Sequence, residues 1–496
     1  MASGPDVSQA LNACEHLLRN DPLNVHGLCE VGLALRRLDR PAESRKCEKA
    51  AVAALLYAMQ IGHVDAALSF EILIHNAFVA TTEDDDHYVR CYSQWRRPMA
   101  DFGRRFRDNT AAPSTNPRRI AFVMATGAVL GHTEVLFKLL GEHAALDKLG
   151  VTVFVYVVYG ADAAFRERAA GAGVTVRYAE DELAQRRDAP ELARLEWLRA
   201  RIRADDCGIA VWVTSAPASI FMLSARIAAV QIFWALRFHP VFGPFVDGYV
   251  SYGPPFERVK ARGNIQWQVC PVPLAVDLAK HAPQEIAGIR SRFPQPVLLG
   301  TLARPEKIAS RPFLKAVVRI LTQHPHAAYL WTGRERDPAI QSHFESAGVA
   351  DRCHFVGWVD SVLHARALDV FLETFPLGCG VTGYQALGVG TAVLSYLEEN
   401  TLFGMQFGTR GAAASIAPRD ADYPYPLLRA RNADEYVTLA GRLITDETFR
   451  AAVAARGRAF YEAEIANVGA YTTRFFETVL AIADKALAGR AVQQQS

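Results

Sequence analysis

The chain has 496 residues, half of them hydrophobic, and a formal charge of only +2. That length accommodates two or three domains with a large core, and the near-balance of acids and bases excludes a broad nucleic-acid surface, which needs a concentrated basic face. No apolar run reaches the roughly 20 residues of a membrane span, the N-terminal stretch does not read as a signal peptide, and eight scattered cysteines without a Cys-x-x-Cys pair lead us to expect reduced thiols in a cytoplasmic protein and no zinc site.

Residues 1–110 read as a helical region. Leu11, Cys14, Leu17 and Leu18 share one helix face, and Asp21–Pro22 breaks it. Leu28, Val31, Gly32 and Leu35 form the next stripe, which Ala42, Cys47 and Ala50 continue on a helix after Arg40–Pro41. Gly32 facing a small residue of that helix allows close packing, and the pair is similar to one tetratricopeptide repeat. One repeat cannot bury its own face, so the segment should pack on further helices or on the next domain. The Asp-x-Asp in EDDDHY (83–88) follows a helical run rather than a strand and reads as a solvated loop or helix cap. RRFRDNTAAPSTNPRR (104–119) is a linker by composition.

After the linker the period changes. RIAFVMA (119–125), VTVFVYVVYG (151–160), IAVWVTS (209–215) and VQIFWAL (230–236) are continuous apolar runs separated by helical stretches. They predict a parallel, doubly wound α/β domain over about 115–260. The pattern restarts with VLLGTLA (297–303), AAYLWTG (327–333), CHFVGWV (353–359), DVFLETF (369–375) and TAVLSYL (391–397). This predicts a second such domain over about 290–485, closed by helices from about 433 to 488, with AVQQQS as a disordered tail. Two domains of this kind usually face each other across a cleft, with ligands beyond the carboxyl ends of the strands.

The second domain contains FPLGCGVTGYQALGVGTAVLS, with glycines at 378, 380, 383, 388 and 390. Gly388 and Gly390 read as tight helix–sheet packing. Gly380 to Gly383 stand where a strand end enters a helix, and a helix N-terminus opened by glycines suits a phosphate. One charge–dipole contact is worth about 0.3–1 kcal/mol, so a diphosphate also needs cations. Arg304 and Lys307 follow the domain's first strand and face the same edge. His132, after RIAFVMA and a glycine, sits at a helix entry where a general base could stand. His239 lies in an aromatic loop after VQIFWAL.

Taken together, these segments resemble the O-GlcNAc transferase family. WALRFHPVFGPFVDGYVSYG is similar to the family's Trp-x-Gly-(Tyr/His)-Pro stretch, which the bacterial cytoplasmic N-glycosyltransferases of adhesins share. LGHTEVLF resembles its histidine loop, ETFPLGCGVTGYQALGVGTAVLS its donor segment, and PEKIASRPFLKAV the place of its diphosphate lysine. The resemblance covers about 115–485. It implies two Rossmann-like domains of the GT-B type, an inverting transfer from a UDP-sugar without a bound metal, and no other cofactor. It also implies a protein acceptor docked partly by the helical region. By position, Lys307 with Arg304 would hold the diphosphate, Gly380, Thr382 and Gly383 would bind phosphate, His132 would be the base, and His239 and Pro240 would line the sugar–acceptor side. The family's ribose-binding Asp falls on Gln385, whose neutral amide hydrogen-bonds a hydroxyl less strongly than a carboxylate. A transferase acting on a saccharide or lipid, and a degenerate scaffold on the same fold, are the alternative readings.

Overall fold

The computed structural model describes residues 21–495 apart from 22–23, 38–39, 80–84, 108–112, 130, 184–190, 214–218, 236–242, 253–257, 263–264, 272–275, 277–280, 376–377 and 397–427. By packing, the chain divides into two compact units. One comprises Met1–Val129, Leu146–Val250 and Glu477–Ser496; the other comprises Leu130–Ala145 and Ser251–Phe476.

The first unit opens with helices α1 (Val25–Arg37), α2 (Pro41–Gln60), α3 (Val64–Ile74) and α4 (Asp85–Arg104), with a π-helical turn over His75–Val79 after α3. Leu28, Val31 and Leu35 are buried, as their spacing predicts. On α2 the buried face differs from the expected stripe: Ala42 is exposed, and Ser44, Glu48, Ala51, Val52, Leu55 and Met59 point inward. The partner of Gly32 is also larger than expected. A Cβ there would stand 2.5 Å from the Phe78 ring and 3.4 Å from Cys47 Cβ. The glycine is therefore required mainly by an aromatic ring of the π-helical turn. Ser44 Oγ closes the pair by donating to the Gly32 carbonyl at 2.8 Å. The Leu11–Leu18 stripe lies outside the described residues, and α4 begins at Asp85, inside EDDDHY.

The helical region docks on the α/β layer of its own unit. Phe102 and Phe106 pack tilted against Phe221 with ring centroids 5.8 and 5.3 Å away, and Arg199 donates to the Phe106 carbonyl at 2.7 Å. The linker is pinned as well. Gly208 N–H donates to the Asn116 carbonyl at 3.1 Å, and Asn116 Nδ2 to Asp206 Oδ2 at 2.9 Å. Strands β1 (Arg119–Gly127), β2 (Thr152–Ala161), β3 (Thr175–Tyr178), β4 (Ile209–Val213) and β5 (Val230–Ala235) pair in parallel in the order β3-β2-β1-β4-β5. Ile120 stands opposite Val153 on one side and Ile209 on the other. β4 and β5 are buried along their whole length, which is why they read as unbroken apolar runs. The last helix (Val468–Gln495) returns its C-terminal part to this unit, so the expected disordered tail is helical through Gln495. Asp247 receives Arg490 at 2.5 Å, Arg226 at 2.6 Å and the Gln231 N–H at 2.8 Å.

Strand β6 (Gly248–Tyr252) precedes an antiparallel hairpin of β7 (Val259–Arg262) and β8 (Ile265–Cys270). The sheet of the second unit contains β9 (Val297–Thr301), β10 (Ala327–Trp331), β11 (Cys353–Phe355), β12 (Val370–Leu372), β13 (Ala392–Tyr396) and β14 (Leu428–Ala430). All pairs are parallel, in the order β11-β10-β9-β12-β13-β14. In both sheets the first strand lies inside and the order reverses beside it: between β1 and β4, and between β9 and β12. Such a switch point opens a crevice at the carboxyl ends of the strands. The helix over Arg311–Gln323 covers this sheet with Phe313, Leu314, Val317, Ile320 and Leu321, one face at helical spacing. Among the described residues no helix is long and apolar enough to cross a membrane, and Cys29, Cys47, Cys207, Cys270, Cys353 and Cys379 are free thiols.

Glu71 on α3 is 4% exposed, and burial pushes its carboxyl up to about 8. The folded state thus keeps a proton that the unfolded chain releases near pH 4.5, so stability falls as pH rises from about 4.5 to 8. Glu71→Gln should remove that part of the decline. Urea unfolding midpoints of both proteins at pH 5 and pH 8 check this; parallel changes would count against it.

Candidate functional site

The switch point of the second sheet brings two chain segments together, the loop after β9 and the turn after β12. After β9, a short helix α5 (Pro305–Ile308) begins with Arg304 as its N-cap. Arg304 is exposed, whereas Lys307 is only 9% exposed. The Lys307 ammonium donates to the Gly378 carbonyl at 2.6 Å. Burial pushes its pKa down to about 8; the Arg304 charge adds to the drop, while Cys379 and Glu373 oppose it. Glu373, the first residue past β12, is fully buried, and its backbone carbonyl accepts from Tyr436 Oη at 2.9 Å. Beside it Phe375 stacks on Tyr396 with ring centroids 4.0 Å apart. The base of the turn is therefore anchored in the core.

The turn then enters helix α6 (Val381–Val389), with Gly380 as N-cap at φ +72° and ψ −127°. Only glycine takes this backbone conformation without strain. As a glycine, the N-cap has no side chain with which to cap the helix. Gly383 N–H donates to the Gly380 carbonyl at 3.1 Å, and Thr382 Oγ1 reaches the Cys379 carbonyl at 3.4 Å. Gln385 sits one turn further on, where its amide oxygen accepts from Ser361 Oγ at 2.6 Å. Gly388 and Gly390 differ from the expected helix–sheet contact. A Cβ on Gly388 would stand 2.8 Å from the Tyr461 ring of the helix Glu447–Glu464, while Gly390, at φ +82°, ends α6.

Two more loops complete this edge. Ala303 N–H donates to Thr332 Oγ1, and that hydroxyl donates back to the Ala303 carbonyl, both at 2.9 Å. Gly333 N–H donates to the Gly357 carbonyl at 3.2 Å. Gly357, at φ +79°, turns the chain after β11, so CHFVGWV is a strand only through Phe355. The next residue, Trp358, is 56% exposed and lies under the Arg334 guanidinium at 5.7 Å. The sequence pattern gave no sign of Trp358, since CHFVGWV reads as one continuous apolar run.

Lys307, Arg304, Gly380, Thr382, Gly383 and Gln385 thus belong to one edge of one sheet. His132 is the second residue of the helix Gly131–Leu140, which groups with this unit and packs against α6. His239 and Pro240 lie outside the described residues. Among the described residues no group of three or more His, Cys, Asp or Glu side chains could hold a metal ion.

The fold is that of known glycosyltransferases. A mutant of the O-GlcNAc transferase of Thermobaculum terrenum superposes with a TM-score of 0.60 at 17% identity, over 98% of this chain and 96% of that one. Anabaena HepE in complex with UDP and glucose superposes with a TM-score of 0.54 at 13% identity, over 73% of this chain and 100% of that one. A glycosyltransferase from Rickettsia africae gives 0.53 at 13% identity, over 75% and 99%. No family model and no curated protein sequence matches the chain. The protein has the GT-B architecture, two Rossmann-like units preceded by a helical region.

Gly380→Ala introduces strain without a clash, since nothing lies within 4 Å of the new Cβ. It should cost about 1–3 kcal/mol, read as a lower thermal midpoint. An unchanged midpoint would mean that the turn relaxes freely.

Proposed function

We propose that this protein transfers a sugar from a UDP-sugar to a side chain of a protein acceptor, with inversion and without a bound metal. The carrying observation is Lys307, a buried ammonium bonded to Gly378, two residues before the glycine that opens α6. A diphosphate seated at that N-terminus meets the helix N–H groups and the lysine charge together. In the reaction the acceptor atom forms a bond to the anomeric carbon as the bond to the UDP oxygen breaks. The acceptor proton passes to a base, for which His132 is the candidate. The negative charge stays on UDP, where Lys307, Arg304, Thr382 and backbone N–H groups of the Gly380–Gly383 segment stabilise it.

Gln385 would serve the ribose through its amide nitrogen, because its oxygen is engaged by Ser361. His239 and Pro240 would line the sugar–acceptor side, and the helical region would hold the acceptor chain. Two kinds of solved structure with this fold support the donor class: a named O-GlcNAc transferase and a complex containing UDP.

Calorimetry with UDP tests the donor site. Lys307→Ala should weaken binding at least about tenfold, roughly 1.4 kcal/mol. Binding of UDP by neither protein would sink the UDP reading. The lysine also imposes a pH dependence of known sign. Its ammonium is mostly charged below about 8 and loses its proton above. UDP affinity of the wild type should therefore fall about tenfold from pH 7 to pH 9, provided that the bound diphosphate keeps the lysine protonated. Lys307→Ala should show no such fall, and equal slopes for the two proteins would remove Lys307 from the site.

A further inference from the structure

The hydrogen bond of Gln385 has a polarity, and the polarity has a chemical consequence. Gln385 stands in the second turn of α6, about 6 Å along the helix from Val381, half-buried between the buried Tyr384 and Ala386. Ser361 Oγ lies 2.6 Å from its Oε1. That length suits an O–H···O bond and is short for an N–H···O bond, so the serine donates and the amide oxygen accepts. Ser361 is itself fixed. It opens the helix Ser361–Ala367, whose N-cap Asp360 accepts from the Val362 and Leu363 N–H groups, both at 3.0 Å. Thr391 Oγ1, just past the end of α6, donates to the Ala365 carbonyl of the same helix at 2.6 Å. The two helices thus hold serine and glutamine in register. Among the described residues none bonds to Gln385 Nε2. With its oxygen held toward Ser361, the amide offers a ligand its Nε2 hydrogens, and an amide nitrogen donates without accepting.

We infer that Ser361 sets the hydrogen-bond polarity of the ribose subsite, so that this protein recognises a ribose oxygen as an acceptor. The inference rests on the donor reading proposed above and adds a specificity to it. A carboxylate in the place of Gln385 would accept from a ribose O–H and would need the hydroxyl hydrogen. The anchored amide gives its own hydrogen and needs only a lone pair on the sugar oxygen. The substrate class is therefore a nucleotide with either a hydroxyl or an ether oxygen at the ribose position that Gln385 reaches. Loss of that oxygen weakens binding, and its alkylation is tolerated. Ser361 is a positioning residue: it acts on the ligand through Gln385.

The test is calorimetry on the full chain with UDP, its 2′-deoxy and 3′-deoxy analogues, and its 2′-O-methyl and 3′-O-methyl analogues. At the position that Gln385 reaches, the deoxy analogue should bind about three- to tenfold more weakly than UDP, the effect of one neutral hydrogen bond, while the O-methyl analogue stays within about twofold of UDP. In Gln385→Glu the order of the two analogues should reverse. There the O-methyl analogue should bind at least about tenfold more weakly than UDP, because a carboxylate has no hydrogen to give to an ether. Ser361→Ala should cut the ratio of UDP to deoxy affinity to about half or less, as the amide loses its anchor. Ser361→Thr keeps the hydroxyl and should restore the ratio. Unchanged circular dichroism establishes that the variants fold, and the wild-type series stands without them. Equal wild-type affinity for UDP and both deoxy analogues, or an O-methyl loss as large as the deoxy loss at the same position, overturns the inference and leaves the donor reading standing. So does a Ser361→Ala protein that keeps the wild-type ratio. Absence of UDP binding overturns the donor reading and this inference with it.

Discussion

A buried ammonium must have an oxygen partner, and the arrangement of the carboxyl edge of the second sheet follows from that need. Lys307 is taken out of water by the four-residue helix that carries it, and desolvating an isolated charge costs several kcal/mol. The Gly378 carbonyl answers the charge at 2.6 Å, and in doing so ties the loop after β9 to the turn after β12. That tie spans the point where the strand order of the second sheet reverses. The lysine is thus a brace for the turn and, under the function proposed above, the charge that would meet a diphosphate.

Around the brace the remaining loops are fastened to one another rather than left to solvent. The Thr332 hydroxyl holds the loop after β9 to that after β10, and Gly333 holds the loop after β10 to that after β11. Below them the aromatic stack of Phe375 and Tyr396, with Tyr436 bonded to the Glu373 carbonyl, anchors the start of the glycine turn. Polar groups fastened this way are positioned before any ligand arrives, which under the proposed reaction would keep reorganisation out of the transfer step.

Much of this was legible in the sequence, and the rest was hidden for identifiable reasons. Strands buried on both faces read as unbroken apolar runs, so the central strands of both sheets were found. β3 and β14 escaped because they are four and three residues long and only partly buried, leaving no apolar run to see. Lys307 was recognisable as a cation after a first strand, but its burial was not, since Pro-Glu-Lys reads as solvent-facing. The register of α2 was misplaced because its inward face includes Ser44 and Glu48, polar residues whose partners lie on other elements. The Gln385–Ser361 bond and the packing of Gly32 on Phe78 join residues 24 and 46 positions apart, and a pattern of short period carries no information about such pairs.

Cys379 sits inside the glycine turn, one residue past the carbonyl that holds Lys307. Burial pushes its thiol up to about 11, and the thiolate is the reactive form. Its burial and its raised pKa both keep this thiol from an alkylating reagent in the folded protein. The rate at which this sulfur is modified would therefore report any opening of the turn, and a ligand seated there would slow it.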